Sequence, residues 1–217
     1  MSAAVPGIPR DMLAFTKENM PSIIESMDFF NVMTYDLMNR RDKVTKHHAG
    51  IQNSLTAVDA YINAGLPAKM INLGFAFYVR WVKTAKNPCK QAVGCPTVLL
   101  EDPETGVDLG GAGAFSYHDR VPEELLTSYQ KAVEQGVYDK SGGGHYYYDA
   151  EEGLFWSWET AHAIEEKVKI VQERGLGGVF AWGLGEDADD WTHLKAMNQA
   201  LQRYVSSPEA TTIKDEL

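Results

Sequence analysis

This 217-residue sequence has no long apolar segment, no excess of basic residues and only two cysteines. No run reaches the roughly 18 apolar residues of a membrane-spanning helix, so we predict no membrane partner. Acidic residues outnumber basic ones by 30 to 20, and the net charge of −10 argues against binding nucleic acid or anionic lipid. This charge does not oppose an uncharged ligand such as a sugar. The opening segment MSAAVPGIPRDML has no basic stretch before a long apolar one, so we predict no signal peptide in this chain.

The two cysteines, Cys89 and Cys95, lie close together in the segment NPCKQAVGCP. Their spacing alone leaves two alternatives open, a disulfide that closes a loop and two free thiols. The sequence contains no CxxC, no HExxH and no other cluster with metal-ligand spacing, so we predict neither a metal nor another cofactor. We interpret Lys46 to His48 as a solvated loop rather than as a pair of ligands.

Apolar, β-favouring segments alternate with amphipathic segments along the chain, and 44% of the residues are hydrophobic. Continuous rather than alternating hydrophobicity is typical of strands that are covered on both faces, as in a parallel sheet. The alternation therefore predicts an α/β fold, either an open parallel sheet or a barrel. The predicted strands are residues 2–7, 28–37, 69–82 and 176–185, and the main predicted helices are residues 54–65, with Ser54 as N-cap, 160–175 and 190–205.

Residues 84–158 interrupt this alternation with prolines, glycines, a helical segment at 121–136 and short aromatic segments. Turn residues between short aromatic strands indicate a small α+β insertion. Its aromatic side chains could line a groove or form a small core of their own. The predicted organisation is therefore a first part at 1–83, the insertion at 84–158, a last helix–strand–helix at 159–206 and a flexible tail at 207–217.

The predicted strands resemble those of glycoside hydrolase family 18, which comprises chitinases and related endo-N-acetylglucosaminidases. DFFNVMTYDL resembles the sixth strand of that family's (β/α)8 barrel, whose mark is Met-x-Tyr-Asp. LGFAFYVRW resembles the seventh strand, GLGGVFAWGLGED the eighth and SAAVPG the fifth. The resemblance implies that the chain is the C-terminal half of the barrel, strands five to eight of a TIM barrel, with the α+β insertion between strands seven and eight.

The resemblance implies catalytic roles for Tyr35 and Asp36. Hydrolysis in the family is substrate-assisted, because the acetamido oxygen of the sugar attacks the anomeric carbon. The Tyr35 hydroxyl would bind the acetamido carbonyl, Asp36 would contact the sugars on both sides of the scissile bond, and Trp182 would form the floor on which a sugar stacks. The sequence departs from the family pattern with Ala76 in place of proline and Val79 in place of glycine.

By the same resemblance, Met33, Tyr78 and Arg80 would line the sugar-binding pocket. The residues themselves leave simpler alternatives open. Met33 could belong to the core, Tyr78 could serve packing alone, and Arg80 could form a surface cation–π pair with Trp81.

The general acid of the family is the glutamate that closes an Asp-x-x-Asp-x-Asp-x-Glu motif on the fourth strand, and no segment of this sequence has that spacing. We therefore expect a chain that starts at the fifth strand and is inactive alone, since general acid catalysis contributes about 10²–10⁴ in rate. The open edges of a half-barrel would favour self-association.

Chitin or a chito-oligosaccharide is the expected ligand. A non-catalytic, lectin-like chitin-binding protein and an endo-N-acetylglucosaminidase acting on N-glycans are the alternatives. The final residues, Lys214 to Leu217, form KDEL, a retrieval address of the endoplasmic reticulum. They predict the secretory pathway, either the lumen of the endoplasmic reticulum or the exterior, with a signal peptide belonging to the missing half.

Overall fold

The computed structural model describes residues 1–85 and 89–205. The predicted tail at 207–217 and its KDEL sequence lie outside the described residues. In chain order the described strands are β1 (Ser2–Pro6), β2 (Phe29–Met33), β3 (Ile71–Ala76), β4 (Tyr78–Lys83), β5 (Ala112–Ser116), β6 (Val137–Asp139), β7 (Gly144–Asp149), β8 (Leu154–Trp158) and β9 (Gly178–Trp182). The described α-helices are α1 (Met20–Ile24), α2 (Ile51–Asn63), α3 (Glu123–Gln135), α4 (Ala161–Glu173) and α5 (Thr192–Val205).

Four parallel strands form the first sheet, in the order β1-β2-β3-β9. The prediction of an α/β fold with a parallel sheet is confirmed. Within the described residues, β1 pairs only with β2 and β9 only with β3, so both are edge strands of this sheet. Parallel strands place their carboxyl ends at one edge, and residues that follow β2, β3 and β9 therefore come together there.

The main core lies between this sheet and the helices on its outer face. Phe30 and Phe75 of the sheet are fully buried, as are Tyr61 of α2 and Ile164 of α4. Ser54, predicted as the N-cap of α2, lies instead inside the helix, which begins after Gly50, and its hydroxyl donates to the Gly50 carbonyl at 2.9 Å. That part of the prediction is wrong, because the helix extends one turn further towards its N-terminus than the apolar periodicity indicated.

Five antiparallel strands form the second sheet, in the order β5-β4-β8-β7-β6, and α3 packs on it. Its core contains Phe115, Leu125 and Trp156, and the indole nitrogen of Trp156 donates to the Ser128 hydroxyl at 3.0 Å. The sequence left two alternatives for the aromatic side chains of this region, a groove lining or a small core. The rings of Phe115 and Trp156 form a small core.

The run at 69–82, predicted as one strand, is two strands in two different sheets. Ala76 pairs with Trp182 in the first sheet, whereas Tyr78 pairs with Ser116 in the second, and Phe77 lies between them. The expectation of a single strand is wrong because both segments are buried, so the hydrophobic pattern continues across the point where the chain changes sheet. The predicted boundary between the first part and the insertion, at residue 83, stays a prediction. The second sheet already begins before it, with β4.

The two cysteines and the possible membrane spans of the chain complete the description of the fold. Cys89 and Cys95 are joined by a disulfide, with their Cα atoms 6.0 Å apart. In the described ranges, none of the helices is both long enough and apolar enough to cross a bilayer.

Candidate active site

Tyr35 and Asp36 follow β2 after one intervening residue, Thr34, at the carboxyl edge of the parallel sheet. Asp36 has a φ of 54°, a left-handed conformation that aspartate tolerates better than most residues. The chain turns sharply here, and the next backbone amide, that of Leu37, donates to the carbonyl of His48 at 2.8 Å. A non-glycine residue in this conformation is often found at functional sites.

The carboxylate of Asp36 is held from the second sheet. Its Oδ1 accepts a hydrogen bond of 2.6 Å from the Tyr78 hydroxyl and one of 2.5 Å from Nε of Arg80. Burial raises the pKa of Asp36, but the charge of Arg80 and the two hydrogen bonds outweigh this effect and hold the pKa below its usual value. Asp36 is therefore ionised at neutral pH.

The phenol ring of Tyr35 packs edge-on against the rings of Tyr78 and Phe180, with centroids 6.3 and 6.0 Å away. Burial raises the pKa of Tyr35 to about 12, so that its hydroxyl stays protonated at neutral pH. A Cβ atom on Gly74 would lie 2.9 Å from the ring of Tyr35 and 2.9 Å from that of Phe180. Glycine at position 74 therefore makes room for both rings.

Four of the six residues that the sequence proposed for the site line one cavity. Met33, Tyr35, Asp36 and Arg80 line a cavity of about 790 Å³. Tyr78 does not line the cavity but donates a hydrogen bond to Asp36, which does. Trp182 does not line it: this side chain is 57% exposed at the end of β9.

Trp182 nevertheless lies on the same strand as Phe180, which contacts Tyr35. It follows Phe180 by two positions on β9 and therefore projects from the same face of the sheet. Trp182 is the last residue of β9 and so lies at the carboxyl end of this strand. Its main-chain carbonyl accepts a hydrogen bond of 2.8 Å from the amide of Phe77.

The alternative of a surface pair between Arg80 and Trp81 does not hold. Neighbouring residues of a strand face opposite sides, and here Arg80 turns to Asp36 while Trp81 packs with the core of the second sheet. Met33 has both roles that were considered, since it lines the cavity and also packs against the cluster around Tyr35.

Charged side chains of both signs form the far wall of the cavity. Arg40 contacts Glu101 at 2.6 Å and Asp108 at 3.4 Å, and Arg41 lies 3.9 Å from Asp11. These pairs largely cancel one another, so the wall offers hydrogen-bond donors and acceptors without a strong net charge. Such a wall suits an uncharged polar ligand better than an ion. Among the described residues, no group of three or more His, Cys, Asp or Glu side chains is placed to hold a metal.

Sequence reasoning was wrong about His47 and His48, which are 3% and 0% exposed and do not form a solvated loop. His47 pairs with Asp139 at 2.9 Å. Nδ1 of His48 lies 4.0 Å from Oδ1 of Asp36, and its ring is 5.3 Å from that of Tyr78. Burial lowers the pKa of His48 to about 3, so a neutral imidazole covers one side of the Asp36 site. A polar dipeptide carries no periodicity that could have indicated this burial.

A family model described as "Glycosyl hydrolases family 18" matches residues 1–187. The chain belongs to this family. It is 30% identical over 177 residues to Nod factor hydrolase protein 1 of Medicago truncatula, a match that covers 78% of this chain and 42% of that protein. Across the first three curated relatives, the chain spans 40% to 44% of their lengths.

Solved structures of a chitinase and of a chitinase-like agglutinin have the same fold. A class V chitinase from Nicotiana tobaccum superposes with a TM-score of 0.65 and 23% identity. The superposition covers 92% of this chain and 55% of that one. A chitinase-like agglutinin from Robinia pseudoacacia superposes with a TM-score of 0.66 and 22% identity, over 92% of this chain and 54% of that one.

Proposed function

We propose that this chain forms the sugar-binding part of a chitinase-type glycoside hydrolase that acts on β-1,4-linked N-acetylglucosamine with retention of configuration. One observation carries the proposal: an ionised Asp36, a protonated Tyr35 and an exposed Trp182 all lie at the carboxyl edge of the parallel sheet. We further propose that β1, β2, β3 and β9 are strands five to eight of a (β/α)8 barrel and that the second sheet is its insertion.

Tyr35 and Asp36 suit the substrate-assisted reaction. The acetamido oxygen of the sugar attacks the anomeric carbon, the bond to the leaving oxygen breaks, and a positively charged oxazolinium forms. The Tyr35 hydroxyl, with its pKa raised to about 12, would donate a hydrogen bond to the acetamido oxygen and aim it. The carboxylate of Asp36 would stabilise the positive charge, because Arg80 and Tyr78 keep it ionised and fixed in place.

Trp182 would supply the apolar floor. An exposed indole at the carboxyl end of β9 is a surface on which the apolar face of a sugar ring can stack. Met33 and Arg80 would line the neighbouring wall.

The leaving oxygen must also receive a proton. Since the sequence contains no Asp-x-x-Asp-x-Asp-x-Glu motif, we propose that turnover needs an acid from outside these 217 residues. The same absence supports a second candidate function, non-catalytic binding of chito-oligosaccharides. The endo-N-acetylglucosaminidase alternative rests on the KDEL sequence alone.

The disulfide between Cys89 and Cys95 supports a secretory-pathway location, since such bonds persist in oxidising compartments. We therefore include a secretory-pathway location in the proposal.

Calorimetric titration with chitotetraose, the linear β-1,4-linked tetramer of N-acetylglucosamine, tests the proposal. Trp182→Ala should weaken binding by about 1–3 kcal/mol, by analogy with the stacking of bases on aromatic side chains. Trp191→Ala is the matched control, because Trp191 is also exposed but directly precedes α5 instead of lying on β9 with Phe180. Unchanged affinity in Trp182→Ala would show that the floor is wrongly assigned, and no binding by the parent chain would refute the proposed function.

A further inference from the structure

Glu159 and Lys167 form an ion pair in the interior, although α4 presents most of its other charges to solvent. Nζ of Lys167 lies 3.1 Å from Oε1 of Glu159, and the two side chains are 1% and 3% exposed. Burial raises the pKa of Glu159 and lowers that of Lys167, while the charge of each partner opposes these changes. Removing two charges from water costs about as much as their attraction returns, so stability alone is a weak reason for such a pair.

Each partner also holds a main-chain group. Nζ of Lys167 donates to the carbonyl of Thr34 at 3.1 Å, and this residue directly precedes Tyr35. Oε2 of Glu159 accepts from the amide of Ala76 at 2.5 Å, at the end of β3. Lys167 is further fixed by the ring of Phe75, whose centroid lies 4.8 Å from Nζ.

These two backbone groups begin the two segments that meet at Asp36. Thr34 leads into Tyr35 and Asp36, while Ala76 leads through the crossing between the sheets to Tyr78 and Arg80. The Tyr78 hydroxyl and the Arg80 guanidinium then close the loop by binding Asp36. The Glu159–Lys167 ion pair is therefore connected to Asp36 through both backbone segments.

We propose that Glu159 and Lys167 are positioning residues that set the distance between the Tyr35–Asp36 segment and the Tyr78–Arg80 segment. The hydroxyl of Thr34 shares this task, since it donates to the carbonyl of Gly74 at 2.8 Å and accepts from the amide of Gly74 at 2.9 Å. Neither member of the pair lines the cavity, so the effect reaches the ligand only through the backbone. The expected effect on the affinity for a sugar rests on the proposed function, whereas the expected effect on the titration of Asp36 does not.

The test compares Lys167→Met, Glu159→Gln and the double variant with the parent chain. The double variant removes both charges with side chains of similar length, so it should recover the melting temperature that the single variants lose. The methionine that replaces Lys167 in the double variant cannot donate to Thr34, so the positioning stays impaired. Glu166→Gln with Lys169→Met is the matched control, since this pair lies on the exposed side of the same helix.

Three measurements are made on each variant: the melting temperature, the pH titration of the Asp36 carboxyl carbon by NMR, and the affinity for chitotetraose. In the double variant we expect a recovered melting temperature, a pKa of Asp36 that moves up towards its ordinary value, and about tenfold weaker binding, the size of one lost hydrogen bond to a charged group. The exposed control pair should change none of the three.

An Asp36 titration identical to that of the parent, in a double variant that has recovered its melting temperature, would overturn the proposal. Should the double variant not fold, Glu159→Gln alone decides, because its amide oxygen can still accept from Ala76 while the charge that fixes Lys167 is gone. A raised pKa of Asp36 in that variant supports positioning, and an unchanged pKa contradicts it. Absence of chitotetraose binding by the parent chain would refute the proposed function but leave the Asp36 titration as the test of positioning.

Discussion

The hydroxyl of Tyr78 donates a hydrogen bond of 2.6 Å to Oδ1 of Asp36, and so connects the first strand of the antiparallel sheet to the end of a strand in the parallel sheet. Nε of Arg80 binds the same oxygen. One carboxylate oxygen thus receives two donors from one strand, at residues two positions apart that face the same side. The candidate site depends on both sheets at once.

Tyr78→Phe should raise the pKa of Asp36, because one of the groups that stabilise the carboxylate is lost. A carboxyl group with a lowered folded-state pKa stabilises the fold above its unfolded pKa, about 3.9, and this contribution is lost as the pH falls through the folded-state value. The variant should therefore lose about 1 kcal/mol at neutral pH, and less in acid. NMR titration and urea unfolding at two pH values measure both effects. Tyr129→Phe, which keeps its ring contacts in the second core, should leave the Asp36 titration unchanged.

Gly74→Ala should displace Tyr35. A methyl group there would meet the Val32 carbonyl at 2.8 Å and the rings of Tyr35 and Phe180 at 2.9 Å. Overpacking of this kind typically costs about 1–3 kcal/mol. We expect a lower melting temperature together with weaker binding of chitotetraose. Gly185→Ala, where nothing lies within 4 Å, is the control, and equal behaviour of the two variants would contradict the close packing at Gly74.

The disulfide between Cys89 and Cys95 should leave no free thiol in denatured, unreduced protein. Thiol titration before and after reduction measures this directly, with two thiols expected only in the reduced sample. Because the closed loop is short, replacing both cysteines with serine should cost only about 2 kcal/mol in the chain-entropy account. Two free thiols before reduction would show that the bond does not form.

The purified 217-residue chain should not hydrolyse a chromogenic chitobioside. Without a general acid the leaving oxygen departs unprotonated, which costs about 10²–10⁴ in rate. A family 18 chitinase assayed in parallel provides the positive control. Clear turnover by the chain alone would mean that one of its own carboxyl groups supplies the proton.

The isolated chain should associate with itself. The strands β1 and β9 are the edges of the parallel sheet in the described structure, and an edge strand offers backbone groups with which another chain can pair. Light scattering should show dimers or larger species, and Ala4→Lys, which adds a charge to the exposed face of β1, should reduce them. A sharp monomer peak with two-state melting would contradict this expectation.

The continuous apolar runs were sufficient to predict the parallel strands, although the run at 69–82 is two strands. The roles expected of Tyr35 and Asp36 came from the family resemblance and not from the apolar runs. Tyr78 and Arg80 also came from the resemblance, and the structure brings them to Asp36 from the other sheet.

The buried charges could not have been predicted in this way. Lys167 lies in an amphipathic helix where a lysine normally marks the exposed face, and Glu159 is one acidic residue among many. His48 lies in a polar segment without any periodic signal. Their burial depends on contacts between residues far apart in sequence, such as Lys167 with Thr34, which a local pattern does not contain.

The passage of the chain between the two sheets at Phe77 determines how relatives of this protein can be recombined. The Phe77 amide is bound to the Trp182 carbonyl, and the next residues carry both donors to Asp36. An exchange that began at Tyr78 would remove these donors together with the second sheet and leave the carboxylate unsupported. A breakpoint after Lys83, at the end of β4, would keep them, so the first strand of the second sheet belongs with the parallel sheet in any chimaera.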